Sequence, residues 1–152
     1  MFALRAARLA DLPLVLPRTR ALNDHEDIAV SDADLETALR RLLADPALGG
    51  VWLVERDGAP IGYAIATFGY DLEFAGRDAW LTELWIDDAA RGGGAGAAAL
   101  EALEDALRGL GVRALHLQVR PGNPAVRVYE RAGFAPVPRT IMSKRLSPAT
   151  KI

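Results

Sequence analysis

Cysteine is absent from the sequence, which excludes disulfide bonds, thiolate metal ligands and cysteine nucleophiles. Long apolar runs are absent too. The apolar stretch LPLVLP follows Asp11 and contains the helix-breaking Pro13 and Pro17, so it predicts neither a signal peptide nor a membrane span. A net charge of -2 gives no reason to expect nucleic acid as a partner. We therefore expect a cytoplasmic protein with no membrane or nucleic-acid partner.

The sequence does contain enough apolar residues to build one core. Of its 152 residues, 51% are hydrophobic and 25% are charged, as in soluble globular proteins. No internal repeat, low-complexity linker or shift in composition divides the chain. We expect a single domain over residues 1–152.

Helix-capping residues divide the chain into candidate helices. Asp11 caps a short first helix, and either Ser31 or Asp32 caps a second one that ends before Pro46. Asn123 caps a short fourth helix. The third helix carries an apolar stripe formed by Leu100, Leu103, Leu107 and Leu110. This helix ends near Gly109 and Gly111.

Runs rich in β-forming residues lie between these helices. Residues 2–7 form the first run, and residues 50–68 predict a hairpin around Asp57-Gly58. The remaining runs, at residues 77–87, 113–119 and 139–146, predict one strand each. The resulting order predicts a mixed sheet with one crossover near its middle, and not a uniform series of β-α-β units.

The segment RGGGAG, Arg91 to Gly96, joins a predicted strand to a predicted helix, an arrangement that several folds use to bind phosphate. A nucleotide P-loop is excluded, because Ala97-Ala98 stands where that motif needs Lys-Ser/Thr. A dinucleotide site is disfavoured. Gly94 to Ala99 fits G-x-G-x-x-A, but the next strand ends at Gln118 to Arg120 with no carboxylate for the ribose. A tight turn without a ligand is a third interpretation.

The fourth interpretation starts from the arginine of this segment, because RGGGAG fits R/Q-x-x-G-x-G/A. Here the sequence resembles the GNAT superfamily of acyl-CoA N-acyltransferases. TELWIDDAARGGGAG resembles the family's fourth strand, turn and third helix, and LHLQVRPGNPAVRVYERAGF resembles its fifth strand and the helix that follows. The resemblance covers nearly the whole chain. It implies an α+β fold (the three-layer α/β GNAT fold) with about four helices and a mixed, mostly antiparallel sheet, in which the fourth and fifth strands splay apart.

The resemblance implies acetyl-CoA as cosubstrate and no metal. In the family, main-chain N–H groups of this turn and the helix dipole bind the coenzyme A pyrophosphate. Leu84, Trp85 and Ile86 match the strand backbone that binds the pantetheine arm and polarises the thioester carbonyl, and Asn123 matches the residue that helps to hold this arm. The residues that match the pyrophosphate-binding turn are Arg91, Gly92, Gly93, Gly94, Ala95 and Gly96.

Two residues match catalytic positions of the family. Tyr129 corresponds to the tyrosine beside the departing sulfur and would act as general acid; alternatively it only packs within its helix. Glu83 is the candidate base for the acceptor amine, directly or through water; alternatively it is a solvent-facing or ion-paired strand residue. His116 is a second candidate base, although its alternating position favours a hydrogen-bonded sheet histidine. Without cysteine, direct attack in a ternary complex is expected.

The resemblance implies N-acetyl transfer to a primary amine of a small molecule or peptide. Residues 23–36 carry six acidic residues and no Lys or Arg, so they would attract a cationic amine if they line the acceptor pocket; a solvated acidic loop is the alternative. Arg91, Arg120, Arg127 and Arg131 are expected near the phosphate side. The alternative function is a non-catalytic acyl-CoA-binding sensor of the same fold. Homodimers are common in the family, and one is allowed here.

Overall fold

The computed structural model describes residues 1–147, which form an open five-stranded sheet with its strands in sequence order. In chain order the elements are β1 (Phe2–Ala6), α1 (Leu12–His25), α2 (Asp32–Ala44), β2 (Gly49–Arg56), β3 (Ala59–Asp71), β4 (Gly76–Ile86), α3 (Ala95–Gly109), β5 (Ala114–Leu117) and α4 (Val126–Arg131). Strands β1 to β4 pair antiparallel, and β5 pairs parallel to β4. The predicted mixed, mostly antiparallel sheet with four helices is confirmed.

The core is divided between the two faces of the sheet, because side chains alternate along each strand. Leu53 and Tyr63 face α1 and α2, where they pack with Val15 and other apolar residues. Trp52 and the neighbouring alanines face the opposite way and pack against the leucines of α3, such as Leu103. The result is the three-layer arrangement that the family resemblance implies.

Local turn and cap signals were good predictors of element ends. Asp57 and Gly58 both have positive φ, 52° and 81°, and form the tight β2–β3 turn that the hairpin signal predicts. Ser31, and not Asp32, caps α2, because its hydroxyl accepts the Asp34 N–H at 3.1 Å. Leu110 differs from its prediction: it lies beyond the end of α3 and is 47% exposed.

Helix α1 is longer than predicted and continues through Pro17. A proline inside a helix costs ~3 kcal/mol, mainly through one lost hydrogen bond and a steric clash. Leu12, Val15 and Leu22 are buried on one face of α1, and each buried side chain of this size contributes about 1.5–3 kcal/mol. The burial of this face therefore outweighs the proline. No helix within residues 1–147 is both long and apolar enough to cross a bilayer.

The C-terminal segment departs from its prediction. The sequence predicts a strand over residues 139–146, but no residue from 135 to 147 is in a helix or strand. Pro136 and Pro138 lack the N–H that a sheet ladder needs, and the Arg139 guanidinium donates to both carboxylate oxygens of Glu73, at 2.9 and 3.4 Å. These features hold the segment away from the sheet, and β5 remains an edge strand among the described residues.

Strands β4 and β5 diverge near the middle of β4. They pair only between Asp78–Leu81 and Ala114–Leu117. Beyond Leu81, β4 continues to pair with β3 but has no partner on its β5 side within residues 1–147. A β-bulge at Thr82 marks this point, because Leu81 pairs with Ala66 while Glu83 pairs with Ile65. The predicted splay is therefore present, and it leaves backbone groups of β4 available.

Candidate functional site

The turn from Arg91 to Gly96 lies at the open end of β4 and leads into α3. Gly92 and Gly94 have φ of 82° and 79°, which glycine adopts without strain. Among the described residues, the N–H groups of Gly92, Gly93 and Gly94 donate no main-chain hydrogen bond. The first N–H groups of α3 also lack intrahelical acceptors. The turn therefore presents a cluster of available donors at the positive end of a helix dipole.

The space above this turn is open. Apart from its chain neighbours and the backbone of α3 itself, no atom of residues 1–147 lies within 4 Å of a Cβ added at Gly92, Gly94 or Gly96. Packing against the described residues therefore does not account for small residues at all three positions. Available donors, a helix N-terminus and open space together fit an oxygen-rich anion such as a diphosphate.

The Arg91 side chain fixes the turn to the strand before it. Its Nε donates to the Ile86 carbonyl at 2.9 Å, its Nη1 lies 2.8 Å from an Asp88 oxygen, and its guanidinium stacks 4.5 Å above the Trp85 ring. These contacts link the end of β4 to the glycine turn. The role of Arg91 in holding a cofactor phosphate stays a prediction.

The Thr82 bulge decides which side chains of β4 face which layer. One extra residue shifts the alternation, so Glu83 and Trp85 lie on the α1–α2 face, whereas Leu84 and Ile86 face α3. Without the bulge, Glu83 would lie on the same face as Leu81, towards α3. The bulge therefore places the candidate base on the layer that the family resemblance assigns to the acceptor.

Glu83 is partly buried and hydrogen-bonded. The Tyr63 hydroxyl donates to its Oε1 at 3.0 Å, and Tyr63 itself is fully buried. Burial raises the pKa of the Glu83 carboxyl, because the charged form loses hydration, and the bond from Tyr63 opposes only part of this rise. Glu83 forms no ion pair among the described residues. A carboxyl with a raised pKa is a better proton acceptor near neutral pH than an exposed one.

Tyr129 lies on α4 and packs beside the opening between β4 and β5. Its ring meets the edge of Phe134 with centroids 6.0 Å apart, and it contacts the same apolar cluster as Leu84 and Leu117. Burial raises the pKa of the Tyr129 hydroxyl, and the Glu26 carboxylate raises it further. Tyr129 therefore keeps its proton at neutral pH and is able to donate it.

Asn123 organises the start of α4. Its Oδ1 accepts the Ala125 N–H at 2.9 Å, and its carbonyl accepts the Val126 N–H at 3.1 Å. The expected capping role is therefore present, although the regular helix begins only at Val126. Its expected contact with the cofactor arm stays a prediction.

A bridge that the sequence analysis missed joins α1 to the segment after β5. The Arg120 guanidinium donates to the Glu26 carbonyl at 2.8 Å, and its Nε lies 3.4 Å from the Glu26 carboxylate. The neighbouring His25 ring packs edge-on against Trp85, with centroids 6.0 Å apart. The end of α1 thereby contacts β4 and is tied to the segment that follows β5. Arg120, expected near the phosphate side, instead holds this bridge.

Ion pairs with nearby arginines neutralise much of the negative charge of residues 23–36. Arg20 pairs with Asp32 at 2.8 Å and lies 3.9 Å from Asp24. Glu36 pairs with Arg40 at 2.9 Å. These arginines lie outside or at the border of the acidic segment, so local composition did not reveal them. The predicted acidic wall is largely neutralised.

His116 lies at the paired end of β4 and β5, away from the opening. Its Nε2 is 3.1 Å from the Asp78 carboxylate, and its ring contacts Trp80 and Phe74. The structure therefore supports a hydrogen-bonded sheet histidine. No cluster of His, Asp and Glu suited to a metal ion occurs among residues 1–147.

With this geometry established, comparisons with known proteins decide the family. A sequence model of the acetyltransferase (GNAT) family matches residues 16–134. The chain belongs to the GNAT acetyltransferase family. A search of curated protein sequences found no significant match.

Solved structures agree on the fold. An integron cassette protein from the mobile metagenome of Cole Harbour Salt Marsh is 30% identical, with a TM-score of 0.84, over 95% of this chain and 91% of that one. A predicted acetyltransferase from Clostridium acetobutylicum, solved with acetyl-CoA, is 24% identical, with a TM-score of 0.75, over 95% of this chain and 96% of that chain. An aminoglycoside N-acetyltransferase in complex with CoA is 16% identical, with a TM-score of 0.80, over 97% of this chain and 96% of that chain. At these last two identities the likeness shows the GNAT fold alone.

Proposed function

We propose that this GNAT protein is a cytoplasmic, single-domain N-acetyltransferase. It uses acetyl-CoA to acetylate a primary amine of a small molecule or peptide. The observation that carries the proposal is the set of available N–H donors from Gly92 to Gly94 at the N-terminus of α3, next to the opening between β4 and β5. An arrangement of donors at a helix N-terminus fits a diphosphate, and acetyl-CoA contains one beside an activated acetyl thioester. Membership of the family and the acetyl-CoA bound to a structural neighbour support this choice.

The unpaired side of β4 suits the rest of the cosubstrate. Leu84, Trp85 and Ile86 follow the last residue that pairs with β5. Apart from the Ile86 carbonyl, which accepts from Arg91 Nε, backbone groups on this side are available to pantetheine amides. One of these N–H groups polarises the thioester carbonyl and stabilises the oxygen that gains charge during transfer. Asn123, whose Oδ1 accepts the Ala125 N–H, would offer its side-chain N–H₂ to the same arm, as the family resemblance implies.

Glu83 and Tyr129 carry out the two proton transfers. Glu83 accepts a proton from the acceptor amine, directly or through water, so the amine attacks with a free lone pair. Tyr129 donates its proton to the departing sulfur. A thiol of this type has a pKa of about 8.5, so the thiolate is already a tolerable leaving group and the gain from Tyr129 is moderate. The chain has no cysteine, and transfer is direct in a ternary complex.

The acceptor enters from the α1–α2 face, since Glu83 is hydrogen-bonded there to Tyr63, which packs in the cluster on that face. Arginines neutralise much of the acidic segment, but Asp27 and Asp34 form no ion pair among the described residues. These two carboxylates are the ones that favour a cationic amine.

Replacing the candidate acid tests the catalytic part of this proposal. We expect Tyr129→Phe to lower kcat by ~100-fold, the lower end of the range for general-acid catalysis, and to leave CoA affinity unchanged. Thiol release from acetyl-CoA with a panel of polyamines, aminoglycosides, amino acids and peptides gives kcat, and calorimetry gives the affinity. Tyr70→Phe is the matched control, because Tyr70 is 76% exposed. CoA binding without amine-dependent thiol release from the unmodified protein would instead identify a sensor.

The pH dependence tests the role of the Tyr63–Glu83 hydrogen bond. Tyr63 stabilises the ionised carboxylate, so Tyr63→Phe should raise the pKa of Glu83 further. The acidic limb of kcat/KM therefore moves to higher pH, while the rate at alkaline pH recovers towards that of the unmodified protein. Tyr70→Phe again serves as control. A pH profile that keeps its shape but is lower at every pH would show that Tyr63 only supports the fold.

A further inference from the structure

Arg56, the last residue of β2, lies beside the glycine turn. Side chains of a strand alternate between its two faces, and Trp52 and Val54 of β2 both pack on the face that α3 covers. Arg56 shares that face and is half-buried. Apart from the chain neighbours of Gly93, its Nη1 is the only atom of residues 1–147 within 4 Å of a Cβ built on Gly93, at 3.7 Å. The guanidinium therefore adjoins the middle of the turn.

The carboxylates next to Arg56 in the chain are engaged with other cations. Glu55, on the opposite face of β2, pairs with the Arg5 guanidinium at 2.9 Å. Asp57, in the hairpin turn, pairs with the N-terminal ammonium of Met1 at 2.6 Å. Neither carboxylate is therefore an ion-pair partner of Arg56.

The carboxylates that lead into the glycine turn are engaged as well. Asp87 pairs with Arg18 at 2.6 Å, and that guanidinium donates to both Asp87 oxygens. Asp88 pairs with Arg91 at 2.8 Å. The acidic residues before the turn therefore already have cationic partners.

Arg56 itself has no partner among the described residues, because its side chain makes neither an ion pair nor a hydrogen bond there. A half-buried guanidinium gives up part of its hydration, and this loss is normally offset by pairing or hydrogen bonding. An anion bound at the turn would supply both.

Arg91, the arginine within the turn, differs from Arg56 in this respect. Its Nε is bound to the Ile86 carbonyl, its Nη1 to Asp88, and its guanidinium stacks on Trp85. Arg91 would have to give up some of these contacts to reach a phosphate. Arg56 would give up none.

We propose that Arg56 is a further cofactor-binding residue, whose guanidinium binds the diphosphate of coenzyme A beside the N–H donors of the glycine turn. A planar guanidinium offers two parallel N–H groups to two phosphate oxygens and stays charged at neutral pH. Arg56 thereby adds a full positive charge to donors that are neutral main-chain groups. This inference rests on the proposed function, because it needs coenzyme A to bind at this turn.

Removal of the charge provides the first test. We expect Arg56→Gln to weaken CoA binding by roughly 10- to 100-fold, the effect of losing one charge-assisted hydrogen bond. Calorimetry measures the affinity, and circular dichroism checks the fold. Arg113→Gln is the matched control: Arg113 also forms no ion pair among residues 1–147, and it precedes β5 beyond the other end of α3. It should bind CoA like the unmodified protein.

Two further measurements identify the phosphate group and the charge. Dephospho-CoA lacks the 3′-phosphate but keeps the diphosphate, so Arg56→Gln should weaken its binding by the same factor as that of CoA. The affinity of the unmodified protein should fall more steeply with added salt than that of Arg56→Gln, because salt screens the extra ion pair. Arg56→Lys keeps the charge but not the paired N–H groups, so it should recover the salt dependence and part of the affinity.

The outcomes separate this inference from the proposed function. Equal CoA affinity in the unmodified protein and Arg56→Gln would overturn the role of Arg56 and leave the proposed function intact. A loss seen with CoA and absent with dephospho-CoA would do the same, because Arg56 would then bind the 3′-phosphate. Failure of the unmodified protein to bind CoA would overturn both.

Discussion

Gly96→Leu should weaken coenzyme A binding by at least ~100-fold while leaving the protein folded. A Cβ at this position lies more than 4 Å from every atom of residues 1–147 outside its own helix turn, so the added side chain would extend into the open space where we propose the diphosphate binds. Each charge-assisted hydrogen bond contributes about 1.5–3 kcal/mol, and a loss of two is more than enough for this change in affinity. Gly96 lies in the first turn of α3, where leucine is a better helix former than glycine. Calorimetric titration with CoA measures the loss.

Gly109→Leu is the control for this experiment. Gly109 is at the other end of the same helix, and a Cβ there also lies more than 4 Å from the described residues outside its own helix turn. It should bind CoA like the unmodified protein, and both variants should melt at or above the unmodified temperature. Equal CoA affinity in Gly96→Leu and Gly109→Leu would show that the glycine turn is not the phosphate site. The proposed chemistry would then have no cofactor site.

Features set by neighbouring residues were predictable from the sequence. The Asp57-Gly58 turn adopts positive φ because its residue types allow it, and Ser31 caps α2 through a bond to a residue three positions away. The glycine turn is equally local, since its donors belong to consecutive residues. These signals were enough to predict the β2–β3 hairpin, the start of α2 and the crossover helix α3; the phosphate site at the glycine turn stays a prediction.

Features set by distant contacts were not predictable. The length of α1 depends on burial against the sheet, which offsets an internal proline that local rules treat as a break. The C-terminal run has strand-like composition, but prolines and the Arg139–Glu73 bridge keep it apart from β5. Strand propensity describes a fit to a neighbouring surface, so it fails where that neighbour is not reached.

The candidate site shows the same division. Glu83 and Tyr129 were identified through motif position, but the Tyr63 partner of Glu83 was missed. Tyr63 and Glu83 are on different strands, and the Thr82 bulge shifts which residues share a face. A bulge has no reliable sequence signal here, so the hydrogen bond could not be inferred before the structure. The Arg120–Glu26 bridge was missed for the same reason, because its partners are 94 residues apart.

Glu83→Gln should lower kcat/KM by roughly 100- to 10,000-fold, the range for removal of a general base. Glutamine has nearly the same shape and its amide oxygen can still accept the Tyr63 hydrogen bond, so the geometry is kept and only the proton acceptor is lost. CoA affinity should be unchanged, because Glu83 faces α1 and α2 and not the glycine turn. The acidic limb of the residual activity should also disappear. Glu101→Gln on the exposed surface of α3 is the matched control.

The pH dependence of stability is an independent measure of the pKa of the Glu83 carboxyl. The pKa of Glu83 is raised in the folded state, so folding favours the protonated carboxyl. The free energy of unfolding is therefore highest below the unfolded-state pKa, and it falls as pH rises through the folded-state pKa. Glu83→Gln removes this dependence. As pH rises from acidic to neutral, the melting temperature of Glu83→Gln should therefore increase relative to that of the unmodified protein. Glu101→Gln should show no such relative increase. A parallel pH dependence in all three proteins would mean that the Glu83 pKa is not raised, and a solvated carboxylate of that kind would be a poor base for an amine.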